Sequence, residues 1–438
     1  MPTRRERGSG VGVYESEYWL SSGWGMNRRE TQSGTYHPYL PDTLSSLSIS
    51  LNAHAASAVA KGEASIRLLD ERSRYLTDTE PLARLMLRSE AMASSRIEGL
   101  QVSAGRLLEC EALDELGVPH RLDSAEAAVM ANISLMRDAV ASVSRMPRIT
   151  VDALCDINRL LLQGSAVAER AGRLRTEQNW IGGNNVNPIS AAYVPPRPEH
   201  VPSLMDDLVS FCNLSPLPAL AKAALAHAQL ETIHPFVDGN GRTGRALIHI
   251  VLRRGGLSVR VTPPISLVLA TDKARYINNL AAFRTEVDAG GCDAAAEAAN
   301  DWIEYFANAC ILACERAEGF ERRLASIQDA WRQRRAFRKG SSASLLIGKL
   351  LGNPVVSVAS AARLTGRSQE AARLAIRSLE ETGILVQNAK NRKSGIYVAR
   401  EVVDAFTEYE RALATPGGDT AAAQPARPVP PRVPRERR

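Results

Sequence analysis

From about residue 45 to 175, leucine and alanine recur at i, i+3 and i+4 with few β-branched runs, the spacing of helices that bury one stripe. That rhythm breaks at 178–198, QNWIGGNNVNPISAAYVPPRP. There Trp180, Ile181, Tyr193 and Val194 flank a Gly/Asn-rich centre, which predicts a β-hairpin ended by Pro195 and Pro196. Helical spacing returns from 201 to about 338. A smaller unit follows. SVASAARLTG predicts a short helix closed by Gly366. Ser368 then caps a helix over 368–382, with Ala372, Leu374, Ile376 and Leu379 as its apolar positions and Gly383 as its stop. ILVQN and SGIYVA predict two strands joined by the basic turn AKNRK. Helix, turn, helix and β-wing is the order of a winged helix. Residues 1–44, rich in Gly, Ser and Tyr, are expected to be irregular. Those from 415 onward, rich in Pro, Arg and Ala, are expected to be disordered.

Composition adds bounds. The chain has 438 residues, roughly three domains at about 150 residues each. Hydrophobic residues at 45% and charged ones at 23% are ordinary for a globular protein with a sizeable core. No apolar signal-peptide core and no long uncharged stretch is present, so a cytoplasmic protein without a membrane partner is expected. The six cysteines form no CxxC pair; Cys310 and Cys314, four apart on a helix, read as small buried hydrophobes. The net charge of +6 is uneven: a mildly acidic body is followed by basic segments at 316–340 and 341–400. Basic segments meet nucleic acid or acidic proteins, and as often are solvated helix faces.

The densest chemistry is HPFVDGNGRTGR, residues 234–245. ALAKAALAHAQLETI forms helix up to Ile233, and Pro235 and Gly239 stop it, which leaves His234 on a loop rim. Asp238 to Gly241 is turn chemistry, and a helix restarts after it. A Gly/Asn loop that leads into a helix N-terminus is an anion site. Arg242 and Arg245 share a helix face there, and two guanidiniums beside backbone N–H groups suit a polyphosphate. Asp238 offers a hard oxygen for Mg²⁺, which takes only one or two protein carboxylates when it rides on phosphates. His234 is able to take a proton from a hydroxyl near neutral pH.

This string resembles the signature H-x-F-x-[D/E]-G-N-G-R-x-x-R of Fic-domain proteins at every specified position. The flap-like 178–198, the preceding helices and the C-terminal unit extend the resemblance over about 38–400. The resemblance implies a mainly α fold: a Fic-type helical core with a small β-hairpin flap, plus a C-terminal winged-helix domain. The boundaries expected are 1–44 for the leader, 45–140 for an N-terminal helical region, 141–315 for the catalytic core, 316–340 for a linking helix, 341–405 for the winged helix and 415–438 for the tail. It implies adenylylation: transfer of AMP from ATP to a Tyr, Ser or Thr hydroxyl of a protein target, which includes this chain itself as a candidate. His234 would be the base and Phe236 a buried anchor. Asp238 would hold Mg²⁺. Gly239, Asn240 and Gly241 would cradle phosphate, the Asn240 side chain included, and Arg242 and Arg245 would hold the outer phosphates. Trp180, Ile181, Gly182, Gly183 and Tyr193 would line the target flap.

A second string, SSRIEG at 94–99, has two readings. Ser95 and Glu98 fit a helix capping box. Ser94, Glu98 and Gly99 also fit the inhibitory motif of Fic proteins, in which Glu98 would pair with Arg245 and block the γ-phosphate.

The C-terminal unit raises a rival from another class, a DNA-binding regulator that reads DNA through Arg373 and Arg377 on the helix and Lys390, Arg392 and Lys393 on the wing. Protein docking and homodimer formation are the other roles open to such a unit. Within enzymes, transfer of another nucleotide or removal of AMP is the runner-up.

Overall fold

The computed structural model describes residues 12–23, 25–47, 49–75, 80–115, 117, 120–284, 291–387 and 395–414. Residues 12–41, expected to be irregular, form four short strands: β1 (Gly12–Tyr14), β2 (Glu17–Trp19), β3 (Gly34–Tyr36) and β4 (Tyr39–Pro41). β1 pairs antiparallel with β4, Gly12 opposite Pro41, and β2 pairs with β3, Glu17 opposite Tyr36. Aromatic and β-branched residues favour a pleated, half-buried surface. Strands of three residues are too short to register as a period.

Among the described residues, eleven α-helices then build the body: α1 (Ala53–Tyr75), α2 (Glu80–Ile97), α3 (Ala104–Glu115), α4 (Ser124–Ser134), α5 (Val140–Arg145), α6 (Val151–Leu161), α7 (Val201–Leu214), α8 (Ala219–Ile233), α9 (Asn240–Arg254), α10 (Ile265–Thr271) and α11 (Lys273–Ala282). α8 and α9 lie against each other at the centre. From Leu220 to Ile233 every residue of α8 except Lys222 is buried, as expected of a helix without a polar face. α9 is buried from Asn240 to Leu252 although that stretch carries two arginines. Its polar residues therefore need partners inside the protein.

α12 (Gly291–Arg334) is one helix of 44 residues, about 66 Å long at 1.5 Å per residue. It runs through the expected boundary at 315/316, so the core and the linking helix are a single rod. Trp302, Phe306, Cys310, Cys314, Ala317, Phe320, Leu324, Ile327 and Trp331, spaced three and four apart, give it one buried stripe along its whole length. Cys310 and Cys314 are two members of that stripe.

The C-terminal unit has α13 (Ser342–Leu350), β5 (Val355–Ser357), α14 (Val358–Thr365), α15 (Gln369–Glu381), β6 (Val386–Gln387) and β7 (Ile396–Val398). Gly366 in the left-handed region closes α14, and the Ser368 side chain caps α15 by accepting from Ala371 N–H. The sheet order is β5-β7-β6, all antiparallel. α16 (Arg400–Ala414) follows at once and packs back on α10, α12 and α3, and residue 405 falls inside this helix. The expected tail, 415–438, lies outside the described residues.

Candidate active site

The loop at 234–239 exists because α8 cannot continue. Pro235 has no amide hydrogen, and its ring disfavours helical geometry at the residue before it. His234 caps α8 in the left-handed region (φ 49°, ψ 58°), with its N–H on Leu230 O at 2.8 Å. A non-glycine residue there costs roughly 1–2 kcal/mol, so the surroundings must hold it. They do: Arg175 Nε donates to His234 O at 2.9 Å and Asn179 Nδ2 at 3.3 Å.

Asn240 locks the rest of the loop. Its Oδ1 accepts from Phe236 N–H at 2.8 Å, and its Nδ2 donates to Phe236 O at 2.9 Å. Both polar ends of the side chain are thus committed to the backbone of buried Phe236. The side chain, expected to help cradle phosphate together with the 239–241 backbone, shapes the loop here. Gly239, at φ 77°, is the N-cap of α9, and a Cβ on it would meet Asn158 Nδ2 and Leu161 at 3.0 Å. Asn158 Nδ2 also holds Asp238 O at 2.9 Å.

At the N-terminus of α9 the charges gather. Arg242 is 5% exposed and its Nε finds no hydrogen-bond acceptor among the described residues; burial pulls its pKa below the usual arginine value. Arg245, 1% exposed, has acceptors on Nε and Nη2. Its Nε donates to Ser94 Oγ at 2.9 Å, and its Nη2 donates to Ser94 O at 2.8 Å and to Glu98 Oε1 at 2.6 Å. Glu98 Oε1 also lies close beside Gly241, in the space that a Cβ there would take. A carboxylate therefore lies beside the first turn of α9, next to both arginines of that turn. Burial pushes the Glu98 carboxyl up, but the charge and hydrogen bond of Arg245, with Arg242 and His234, outweigh it and hold it below the ordinary range.

Ser94 and Glu98 stand at the end of α2, and Gly99 (φ 86°) leaves that helix in the left-handed region. The string closes a helix and does not open one, which removes the capping-box reading. Lys273 Nζ donates to Ile97 O at the same helix end.

His234 is half-buried, and its Nδ1 has no partner among the described residues. Burial first, then the cations Arg175 and Arg284, lower its pKa to about 4, with Glu98 opposing. The imidazole is neutral at pH 7 and free to accept a proton. Asp238 is exposed on the loop rim, one oxygen on Gly239 N–H at 2.6 Å and the other 3.8 Å from Arg242. That is one hard carboxylate beside a cationic nest. It fits a cation that brings its remaining ligands on a phosphate or as water. Among the described residues no three acidic, His or Cys groups converge into a site held by protein alone.

Behind the loop lies a buried polar layer. His227 Nε2 meets Tyr276 OH at 2.7 Å, and burial lowers the His227 pKa to about 3. Burial also raises the Glu231 pKa to about 7.

The flap closes over this centre with one β-bridge, Ile181 to Tyr193, where a full hairpin had been expected. Gly182 and Gly183, at φ 77° and 74°, make its bend. Trp180 Nε1 bonds Asn184 O at 2.7 Å, and the ring meets Trp19 edge-on at 5.7 Å between centroids. Tyr193 OH donates to Thr232 O at 2.6 Å, and the Arg284 guanidinium lies 3.6 Å above its ring. The leader strands thus brace the flap, a contact absent from any local pattern.

Arg373 and Arg377 are exposed on α15, apart from this centre, and Arg373 pairs with Glu370 at 3.1 Å. Lys390, Arg392 and Lys393 lie outside the described residues. The sequence reading missed Asn158, Arg175, Asn179 and Arg284. Arg175 stands just before the flap string, but a polar side chain that will be buried looks like any surface one.

Comparison with known proteins gives two family matches: residues 148–252 match the Fic/DOC family, and residues 56–140 match the Fic/DOC family N-terminal domain. The protein adenylyltransferase fic-1 of Caenorhabditis elegans is 33% identical over 135 residues, 30% of this chain and 23% of the relative. The protein adenylyltransferase Fic of Nematostella vectensis is 34% identical over 141 residues, 32% of this chain and 29% of the relative. The chain spans about a quarter of the length of these curated relatives. Among solved structures, a Fic family protein from Desulfovibrio desulfuricans G20 superposes with a TM-score of 0.49 at 20% identity, over 80% of this chain and 97% of that one. Fic-1 of C. elegans (residues 134–508) gives 0.44 at 23% identity, over 61% and 74%.

Proposed function

We propose that this chain, which carries a Fic/DOC domain behind the family's N-terminal domain, transfers AMP from ATP to a hydroxyl group of a protein and restrains that transfer through Glu98. The observation that carries the reading is the Glu98 carboxylate paired with Arg245 and lying beside Gly241, an internal anion that supports competition with a phosphate for the same arginine.

The geometry supports the following roles. His234, neutral at pH 7, takes the proton of the target hydroxyl. The hydroxyl oxygen forms a bond to the α-phosphorus, the bond from that phosphorus to the bridging oxygen of the β-phosphate breaks, and pyrophosphate leaves. The α9 N-terminus and Arg242, whose Nε is unpartnered, stabilise the charge that builds on the phosphates. Arg245 would hold the γ-phosphate once Glu98 withdraws. Asp238 would hold Mg²⁺, which supplies charge neutralisation on the phosphates. The flap, with Ile181 39% exposed, offers an edge to the target segment.

We read the C-terminal unit as a winged helix, on the element order and the β5-β7-β6 sheet. Exposed Arg373 and Arg377 support a nucleic-acid partner as a second role, which a salt titration with duplex DNA tests.

The experiment for the main reading is intact mass measurement after incubation with ATP and Mg²⁺. Glu98→Gly gains one AMP or more, and Glu98→Gly/His234→Ala gains none. A folded, ATP-binding Glu98→Gly protein without adduct, on itself or on lysate proteins, overturns it.

A further inference from the structure

We propose that Arg175 is the positioning residue that fixes His234 against the target flap, so that base and incoming hydroxyl share one rigid support; this rests on the reading of the site just given. Arg175 is 4% exposed. Its Nε donates to His234 O at 2.9 Å, its Nη2 to Ile233 O at 3.3 Å and to Pro196 O, and its Nη1 to Glu177 O at 3.2 Å. Its own N–H donates to Pro235 O at 2.9 Å. Each acceptor is a backbone carbonyl. The fork thus joins the end of α8, the strained His234 and both limbs of the flap, a use that a planar five-donor group suits and an ammonium does not. Asn179 runs a parallel strut, from its Nδ2 to His234 O and to Phe236 O at 3.1 Å.

The charge has its own effect. The groups that act on His234 are Arg175, Arg284 beyond α11, Glu98 beyond α2 and the backbone of Glu231 on α8. Among them Arg175 and Arg284 favour the neutral imidazole that a base requires.

The test uses the Glu98→Gly protein as parent. Arg175→Gln and Arg175→Lys should each bind ATP–Mg²⁺ as the parent does, because no phosphate-binding group is touched. Transfer should fall at least about tenfold in both, since the base is misplaced. The acid limb of the pH profile should move to higher pH in Arg175→Gln and stay in place in Arg175→Lys, which keeps the charge. Parental transfer and profile in both variants would overturn the assignment. So would transfer that falls only in step with ATP affinity, or unfolding of both variants, which would make the residue one of general stability. A parent that transfers nothing would instead remove the proposed function.

A second, independent observation lies on the other side of α2. The geometry points to Glu410 as a latch through which the C-terminal unit sets the position of Glu98. Glu410 of α16 is 4% exposed; it pairs with Arg96 at 2.8 Å and accepts from Ser89 Oγ. Arg96 is two residues from Glu98. Further up α2, Arg84 Nη1 donates to Asn353 Oδ1 at 3.0 Å, and Arg88 Nη1 donates to Gly352 O at 2.7 Å. One helix is therefore tied to the C-terminal unit along its length and to Arg245 at its end. The path is contiguous: β7 leads directly into α16, Ala399 N–H between them bonds Pro354 O beside β5, and Glu410 reaches α2. A ligand or partner that shifts the sheet would move α16 and with it the anchor of Glu98.

Glu410→Gln in the otherwise unaltered protein should raise transfer severalfold and tighten ATP–Mg²⁺ binding, and should add nothing in the Glu98→Gly background. Arg96→Gln is the second route to the same result. Folded variants no more active than the starting protein, beside an active Glu98→Gly, would overturn the latch. Unfolding of both variants would do the same, by assigning the pair to stability alone. An inactive Glu98→Gly would again count against the proposed function.

Discussion

Arg245 and Glu98 stand 147 positions apart and meet at 2.6 Å, Nη2 to Oε1. The arginine is 1% exposed while the Glu98 side chain is 38% exposed, so the acid reaches in from the surface to a cation that cannot reach out. Ser94 supplies two more acceptors from the same helix end. Arg245 is thus held above its ordinary pKa; burial alone would lower it, and Glu98 is the largest opposing cause.

Removal of that acid should have two opposite effects. Glu98→Gly should raise transfer by about tenfold or more, because a competing contact of roughly 1.4 kcal/mol is a factor of ten in an equilibrium. It should also lower thermal stability by about 1–3 kcal/mol, since a buried guanidinium loses an acceptor. ATP with Mg²⁺ should restore the melting temperature of the variant more than that of the parent chain. Differential scanning fluorimetry with and without nucleotide reads both changes.

The pH dependence of transfer should carry the mark of His234. Its pKa is lowered to about 4, so the base is deprotonated above that value. The acid limb of the rate profile in Glu98→Gly should fall near pH 4 rather than near the ordinary histidine value of about 6.5. Loss of Glu98, which opposes the shift, moves the limb lower still. A limb at 6.5 or above would contradict this account of the base.

Asn240→Ala should cost stability as well as activity. It leaves the buried N–H of Phe236 without its partner, about 1–3 kcal/mol, while Phe236 O keeps Asn179 Nδ2. The loop backbone that forms the nest should loosen, and ATP affinity should drop with the melting temperature. A variant that loses ATP binding with an unchanged melting temperature would return the side chain to direct phosphate contact.

Glu231 gives a stability signature. Burial raises its folded pKa to about 7, above that of an exposed carboxyl. The neutral form therefore favours the fold, an advantage complete below the unfolded pKa of about 4.3 and lost as pH rises through 7. Glu231→Gln should melt higher than the parent at pH 8 and nearly with it at pH 4. The reverse order would show that the carboxylate, not the acid, is the stabilising form.

The sequence made the loop at 234–245 legible because its controls are local: a proline stops one helix, glycines bend the chain, and two arginines three apart share a face. The partner of Arg245 was legible only through resemblance. Ser95 and Glu98 alone point to the start of a helix, whereas tertiary packing places them at its end. Arg175 was invisible, since its acceptors at 177, 196, 233 and 234 come together only in the folded chain. The strands of 12–41 and the continuity of α12 through residue 316 were missed for opposite reasons. The strands are too short to show a period, and a charged helix reads as a linker until its buried stripe is traced.

The most direct test of self-restrained AMP transfer runs the unaltered chain and Glu98→Gly side by side with ATP labelled at the α- or the γ-phosphate. The account predicts that Glu98→Gly takes up α-label at least about tenfold faster than the unaltered chain and that neither takes up γ-label. Equal α-label uptake by the two proteins, or uptake of γ-label, would contradict it.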